Sequence, residues 1–488
     1  MEAQPSPNLA RTTIFGTAWT YASYYSGKLL IFISTVILAR LLLKEDFGIA
    51  GYALVLIGFL EMLSDLGVGP ALIYHKDEPE AADTAFWLGL GVSVFLFGVT
   101  WVIAPLAGQF FNDDRAIAVT RVLALTFPIS ALGNIHDMLL QKGLAFGRKF
   151  VPDFAKASSK GVVSIVLAVM GFGAWSLIIG QITGRLFGVL AYWRTLTWRP
   201  SFRFSPRLAR SLLTYGTSIV AVNTLGMVLL NADYLFIGRF LGPAALGVYT
   251  LAFRVPELVV MQFCHVIATV IFPLYARMKD DPEALSRGFL ATTRYVTMLT
   301  IPLGLGLALV AEPFVLTLFT NKWAEAIPVT RAISIYTVML SLAYNAGDVY
   351  KAQGRPGILT QLSLLRAMVL LPALWWAVTG PGTIEAVGWT QAVIAFVAGL
   401  VNLVVAGRLL HTSFRQILEA LQPALVGSTI MALAVLATLA VSQSLPPVAQ
   451  LILTILVGAL SYAGTLWWLQ RQVLEDTVRT LRGALVRS

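Results

Sequence analysis

Apolar runs of about twenty residues recur from one end of this chain to the other, and little but short polar turns separates them. A hydrocarbon layer about 30 Å thick needs roughly 20 apolar residues per crossing helix. That window fits fourteen times, at 15–42, 47–73, 84–110, 117–140, 155–173, 174–194, 211–241, 246–275, 289–318, 328–350, 358–379, 384–407, 420–442 and 448–470. The separators are turn-like: KED at 44–46, NDDR at 112–115, GFGAW at 171–175, GPAALG at 242–247, GPG at 380–382 and LPP at 445–447. Gly and Pro at such points punctuate helices. Backbone groups in lipid must be satisfied within the segment, which forces helices. The runs are continuous rather than alternating, which argues against a β-barrel. Charged residues make up 12% of the chain, against about 25% in soluble domains, too few to cover a water-facing surface. The expected fold is an all-α integral membrane protein of about fourteen transmembrane helices.

The distribution of Lys and Arg sets the orientation. With the N-terminus inside, the inner loops and tails hold about 26 of the 35 basic residues. That excess places both termini in the cytoplasm, and it accounts for the net charge of +10 without invoking nucleic acid. The first helix is expected to serve as its own targeting signal, with no removable leader. The single cysteine, Cys264, lies in an apolar run and has no intrachain partner for a disulfide. No GxxxxGK[ST] loop, no Cys/His cluster with metal spacing and no GxSxG elbow is present. No cofactor is expected.

A weak internal repeat organises the runs. ILARLLLKEDFGIAGYAL at 37–54 aligns with FIGRFLGPAALGVYTLAF at 236–253, matching Arg40 to Arg239, Leu42 to Leu241, Gly48 to Gly247 and Ala53 to Ala252. An offset of six spans is even, so both copies cross the membrane in one direction, as in parallel-repeat transporters. The chain then reads as two pseudo-symmetric six-helix lobes, 1–196 and 208–410, followed by helices 13 and 14 over 411–470. A basic cytoplasmic linker at 197–207 joins the lobes, inside the Arg-rich segment RTLTWRPSFRFSPRLAR at 194–210. Two readings of that segment stay open: an inner-leaflet anchor, or a recruiting site for an anionic diphosphate lipid. The tail at 471–488 places Leu474, Val478, Leu481 and Leu485 on one stripe with arginines between, the pattern of a helix lying along the membrane.

A charge at the centre of a span costs about 2.5–3.5 kcal/mol, so such residues face a partner or a water-filled cavity. Asp233 and Arg254 lie at nearly equal depth, roughly 15 Å below the turn at Pro243–Ala244 at 1.5 Å per residue, and are candidates for an ion pair across a hairpin. The same arithmetic about Glu45 puts Lys28 and Glu61 at matching depth, with Asp65 one turn along the face of Glu61. Each set either locks helices together or lines a substrate cavity. Asp137, Arg185, Glu257, Asp348 and Arg366 are further in-span candidates, and His136 is expected to be structural. Pro302, followed by Gly304 and Gly306, and Pro313, Pro328 and Pro372 mark candidate hinges.

The segment LARLLLKEDFGIAGYALVLIGFLEMLSDLGVGPALI at 38–73, with NADYLFIGRFLGPAALGVYTLAFR at 231–254, resembles the polysaccharide-transporter family of the multidrug/oligosaccharidyl-lipid/polysaccharide exporter superfamily, whose members include lipopolysaccharide and colanic-acid-type flippases. The resemblance covers essentially the whole chain. It implies two six-helix bundles around a central cavity that opens alternately to either side of the bacterial inner membrane. The implied substrate is an oligosaccharide on undecaprenyl diphosphate, delivered to a periplasmic polymerase and export machinery. It implies a cationic cavity, to which Lys28, Arg254 and Arg185 are assigned. Glu61, Asp65 and Asp233 depart from that pattern, and either balance those charges or bind a coupling ion, H+ or Na+. A cation-coupled multidrug antiporter of the same superfamily, an envelope polysaccharide polymerase or ligase, and a non-transporting scaffold are the other classes. The uniformly short outer loops weigh against an enzyme.

Overall fold

A computed structural model describes residues 27–65, 80–143 and 145–469, nearly all of them helical and none in a strand. In chain order the helices are α1 (27–41), α2 (Lys44–Asp65), α3 (Ala81–Phe111), α4 (Arg115–Leu123), α5 (Thr126–Lys142), α6 (Phe146–Val169), α7 (Ala174–Thr195), α8 (Pro206–Phe240), α9 (Gly242–Pro256), α10 (Gln262–Arg277), α11 (Pro282–Leu309), α12 (Ala311–Leu318), α13 (Ala326–Ala352), α14 (Pro356–Thr379), α15 (Ile384–Leu409), α16 (Phe414–Val441) and α17 (Pro447–Leu469). Within the described residues every expected span falls on a helix or on a broken run of helices. Among the described residues, nine helices are long and apolar enough to cross a membrane, and a tenth arises if α11 and α12 count as one span. The chain is a multi-pass membrane protein. The tail beyond 469 lies outside the described residues.

Helix starts follow the capping residues. Ser205 and Asp281 accept from the backbone N–H groups of Leu208 and Ala284, each followed by a proline in the first turn. Ser413 and Gln416 form a reciprocal capping box at α16. Breaks follow less obvious rules. The expected span at 117–140 divides at Ala124–Leu125 between α4 and α5. The span at 246–275 contains a π-helical turn, Glu257–Met261, just after Pro256. Pro302 does not break α11. The chain instead bends by 69° between Leu309 and Ala311, so the sharp break lies beyond the Pro302–Gly306 segment where a hinge was expected.

The chain packs as two compact units, Met1–Gly247 and Val248–Ser488. In the first, Ile49, Ala53, Leu96, Leu123, Phe127 and Ile178 form a buried cluster from α2, α3, α4, α5 and α7. The two turns of the internal repeat also meet here. A Cβ at Gly48 would run into the backbone carbonyl of Pro243, and a Cβ at Gly247 would run into that of Lys44. Lys44 and Pro243 are themselves equivalent under the 199-residue offset, so the contact is reciprocal, as a local two-fold requires. Only glycine permits so close an approach. In the second unit α13 is the most enclosed helix, and Tyr275, Phe289, Leu342, Tyr350, Leu403 and Ile417 fix the ends of α10, α11, α13, α15 and α16 together.

Candidate functional site: a charged face in the first unit

Helix α7 carries glycines at 180, 184 and 188, one per turn on one face. A Cβ at Gly184 would lie 2.9 Å from the carbonyl oxygen of Lys156, and one at Gly188 would lie 3.2 Å from the Cβ of Lys156. The glycines therefore let the backbone of α6 press against α7, as small residues do between membrane helices. That approach aligns two sets of charges.

The first set centres on Arg185, next to Gly184. Its Nη1 donates to the Ser130 hydroxyl of α5 at 2.8 Å, and its Nη2 donates to Glu61 Oε2 of α2 at 2.9 Å. Arg185 and Glu61 form an ion pair. The Arg185 side chain is mostly buried and that of Glu61 about one-third exposed. A planar guanidinium can hold two differently placed acceptors at once, and here it ties three helices, α2, α5 and α7.

The second set lies along α6. Lys149, Asp153, Lys156 and Lys160 are spaced four, three and four residues apart, one face of a helix. Lys149 pairs with Asp137 of α5. Tyr192 of α7 donates to Asp137 at 2.9 Å and is 3.3 Å from Asp153. Asp153 and Lys156 keep substantial solvent exposure. The result is a polar, partly exposed face among apolar helices. Cation-rich and acidic groups alternate on it, an arrangement that can hold an anionic headgroup while each fixed charge keeps a partner nearby.

The other expected site residues fall elsewhere. Lys28 is partly buried, two residues into the described part of α1. α2 runs through Asp65, whose side chain lies outside the described residues. Asp233 is completely buried on α8, and its carboxylate accepts from the Tyr234 N–H at 3.0 Å. Arg254 pairs with Glu257 at 3.3 Å, three residues on and at the start of the π turn. π turns are frequent at functional sites. Thus Glu61 and Arg185 come together, Arg254 has a neighbour on its own chain segment, and Lys149, Asp153, Lys156 and Lys160 are additions that the span boundary at 155 concealed. His136 is buried and stacked on Trp193 with ring centroids 5.2 Å apart.

In the Arg-rich segment Arg199 is held by the protein itself, while Arg194, Arg203, Arg207 and Arg210 are exposed. Arg199 donates to the carbonyls of Trp193 and Leu196, both at 2.6 Å, and of Trp198 at 2.7 Å, and it lies over the Trp193 ring. Asp83 accepts from Ser201, Trp87 donates to the Ser201 carbonyl at 2.8 Å, and Phe202 stacks on Trp87. These contacts clasp the segment onto the start of α3.

Residues 37–328, more than half of the chain, match the model of the family described as polysaccharide biosynthesis protein. The chain belongs to this family. Among curated relatives, it is 26% identical to the teichuronic acid biosynthesis protein TuaB of Bacillus subtilis (strain 168), over 81% of this chain and 82% of that one. It is likewise 26% identical to the succinoglycan biosynthesis transport protein ExoT of Rhizobium meliloti (strain 1021), over 78% and 77%. Among solved structures, the lipid II flippase MurJ in an inward closed conformation superposes with a TM-score of 0.75 at 12% identity, covering 93% of this chain and 99% of that one. That likeness establishes the fold, shared with MurJ.

Proposed function

We propose that this chain is a flippase that moves an oligosaccharide linked to undecaprenyl diphosphate across the bacterial inner membrane. It is a transporter rather than an enzyme. The observation that carries this reading is the charged face of α6 with the Glu61–Arg185 pair, set inside apolar helices of a chain that shares its fold with a lipid flippase and has a polysaccharide transport protein among its relatives.

The physics favours such a device. A diphosphate and several sugars cannot cross hydrocarbon unaided, since an unpaired polar group costs roughly 2–7 kcal/mol to bury and a charge more. In a chain read as two six-helix lobes, 1–196 and 208–410, a polar passage lined by these charges accepts the headgroup while the polyprenyl tail remains in lipid. Lys156, Lys160 and Arg185 face the diphosphate, with Lys28 and Arg254 as further cations. Glu61, Asp65, Asp153 and Asp233 balance them or take the coupling ion, H+ or Na+. Alternating access moves the opening from one leaflet to the other. Both termini lie in the cytoplasm, and the product passes to a polymerase and export machinery outside. A drug antiporter would favour acidic and aromatic lining groups over the lysines of α6.

The test is to delete the gene. Lipid-linked oligosaccharide is expected to accumulate on the inner leaflet while the finished polysaccharide is lost. Loss of polysaccharide without a stalled inner-leaflet intermediate overturns the reading.

A further inference from the structure

A second concentration of positive charge lies in the unit Val248–Ser488, apart from the face described above. A cavity of about 700 Å3 is lined by Lys279 and Asp280 after α10, by Lys351 and Arg355 at the end of α13, and by Arg408 and His411 at the end of α15. Its volume falls in the range of about 300–1,000 Å3 typical of ligand pockets. Four permanent cations converge on it against one lining carboxylate, Asp280.

Basic residues at helix ends are ordinary in membrane proteins, where they follow the positive-inside bias or offset the helix dipole. Two observations separate this group from that background. Three other basic residues in this unit are paired, Arg287 with Glu283, Arg331 with Glu312 and Arg415 with Glu419, although among the described residues Arg277 at the end of α10 is not. In the pocket only Lys351 has an acidic partner, Asp348 at 3.2 Å. Among the described residues, Lys279, Arg355 and Arg408 make no side-chain ion pair or hydrogen bond. The helix ends, moreover, are already closed by their own backbone. The Arg355 N–H donates to the Tyr350 carbonyl at 2.8 Å, and the Thr412 N–H to that of Gly407 at 2.8 Å. These are Schellman closures, and the arginines are not needed to satisfy the last carbonyls. The second closure holds His411 at a φ of 54°, in the left-handed region where glycine is usual. That conformation keeps an imidazole at the pocket wall.

The helix ends that carry the pocket are packed together. Ala352 and Leu409 line it and pack in one cluster with Tyr275, Leu342, Val349, Tyr350, Leu403 and Leu410, and the Tyr350 hydroxyl donates to the Asn402 carbonyl at 2.8 Å. The cations thus project from helix ends locked to one another. Preformed pockets of this kind avoid the ordering cost of binding.

We propose that this pocket binds a phosphate or diphosphate group at the membrane surface. Two guanidinium groups offer paired N–H donors to phosphate oxygens, and two ammonium groups neutralise the remaining charge. The helix ends place the group at headgroup depth. That this end faces the cytoplasm rests on the orientation proposed above; the binding chemistry does not. The phosphate belongs either to a lipid headgroup or to a free diphosphate.

The experiment uses the full-length protein in nanodiscs of neutral phosphatidylcholine, titrated with inorganic pyrophosphate, and in parallel in nanodiscs containing phosphatidylglycerol. Hydrogen exchange of the segments 351–356 and 408–413 is the readout. Saturable protection by pyrophosphate is expected, with its midpoint raised at least tenfold in Arg355→Gln/Arg408→Gln and unchanged in Arg331→Gln at the opposite end of α13. If phosphatidylglycerol alone protects the same segments in an Arg355- and Arg408-dependent way, a lipid headgroup is the ligand. Absence of protection in both arms overturns the proposal, as does protection that the double variant leaves intact. Because no transport is measured, failure of the flippase reading leaves this result standing. Conversely, normal flipping by a protein that shows no protection removes the pocket alone.

Discussion

Arg185 is the residue on which the first charged set depends. It holds Ser130 and Glu61 from two other helices, so its loss strands a carboxylate beside apolar helices. Leaving one member of a partly buried pair alone costs more than the pair contributes. Glu61→Gln is expected to lower polysaccharide export roughly tenfold, about 1.4 kcal/mol at the transition state, with the membrane-inserted protein level unchanged. Arg185→Lys is expected to fall nearly as far, because one ammonium cannot reproduce the fork. Complementation of a deletion strain, with export and protein level both measured, checks this; wild-type export by both variants would show the pair to be dispensable. Glu61 and Arg185 were legible in the sequence as charges inside spans, because a lone charge in twenty apolar residues stands out. Their pairing was not, since depth counting compares neighbouring helices and Arg185 is 124 residues from Glu61. Lys156 and Lys160 were missed for another reason. They sit at the edge of an apolar window, where a charge looks like a loop residue, and only their spacing with Lys149 and Asp153 reveals a helical face.

At the scale of elements, glycine positions decide how closely the helices approach. Gly184→Ala would set a Cβ 2.8 Å from the Cβ of Lys156's neighbour one turn on, Lys160, and 2.9 Å from the Lys156 carbonyl oxygen. Gly48→Ala would drive a Cβ into the Pro243 backbone. Overpacking of this kind costs about 1–3 kcal/mol, and neither neighbour is a flexible side-chain tip that can move aside. Each variant is expected to lower the thermal unfolding midpoint of the purified protein by several degrees. Gly91→Ala on α3, where a Cβ would meet nothing within 4 Å, should leave it unchanged or slightly raised, because alanine favours helix. Equal midpoints for all three would mean that these approaches are not tight. The span pattern came directly from hydropathy, since lipid enforces one element type. The breaks did not. The 69° bend follows Leu309 rather than Pro302, because neighbouring packing satisfies a proline inside a membrane helix.

For the whole molecule, the central claim is that a polar passage carries a charged sugar headgroup past the acyl chains. The repeat at 37–54 and 236–253 rests on four identities, and its two turns meet within the first unit, Gly48 against Pro243 and Gly247 against Lys44. The glycan and the coupling ion leave no mark in the hydropathy pattern, because both depend on side chains spread over separate helices. The direct measurement is translocation in proteoliposomes of a fluorescent oligosaccharide on undecaprenyl diphosphate, followed by the headgroup's accessibility to an outside quencher. The reconstituted protein should move the headgroup between leaflets, and Glu61→Gln and Lys156→Gln should slow that movement at least tenfold. A folded, reconstituted protein that leaves headgroup accessibility as in empty vesicles, with and without a pH or Na+ gradient, would contradict the account.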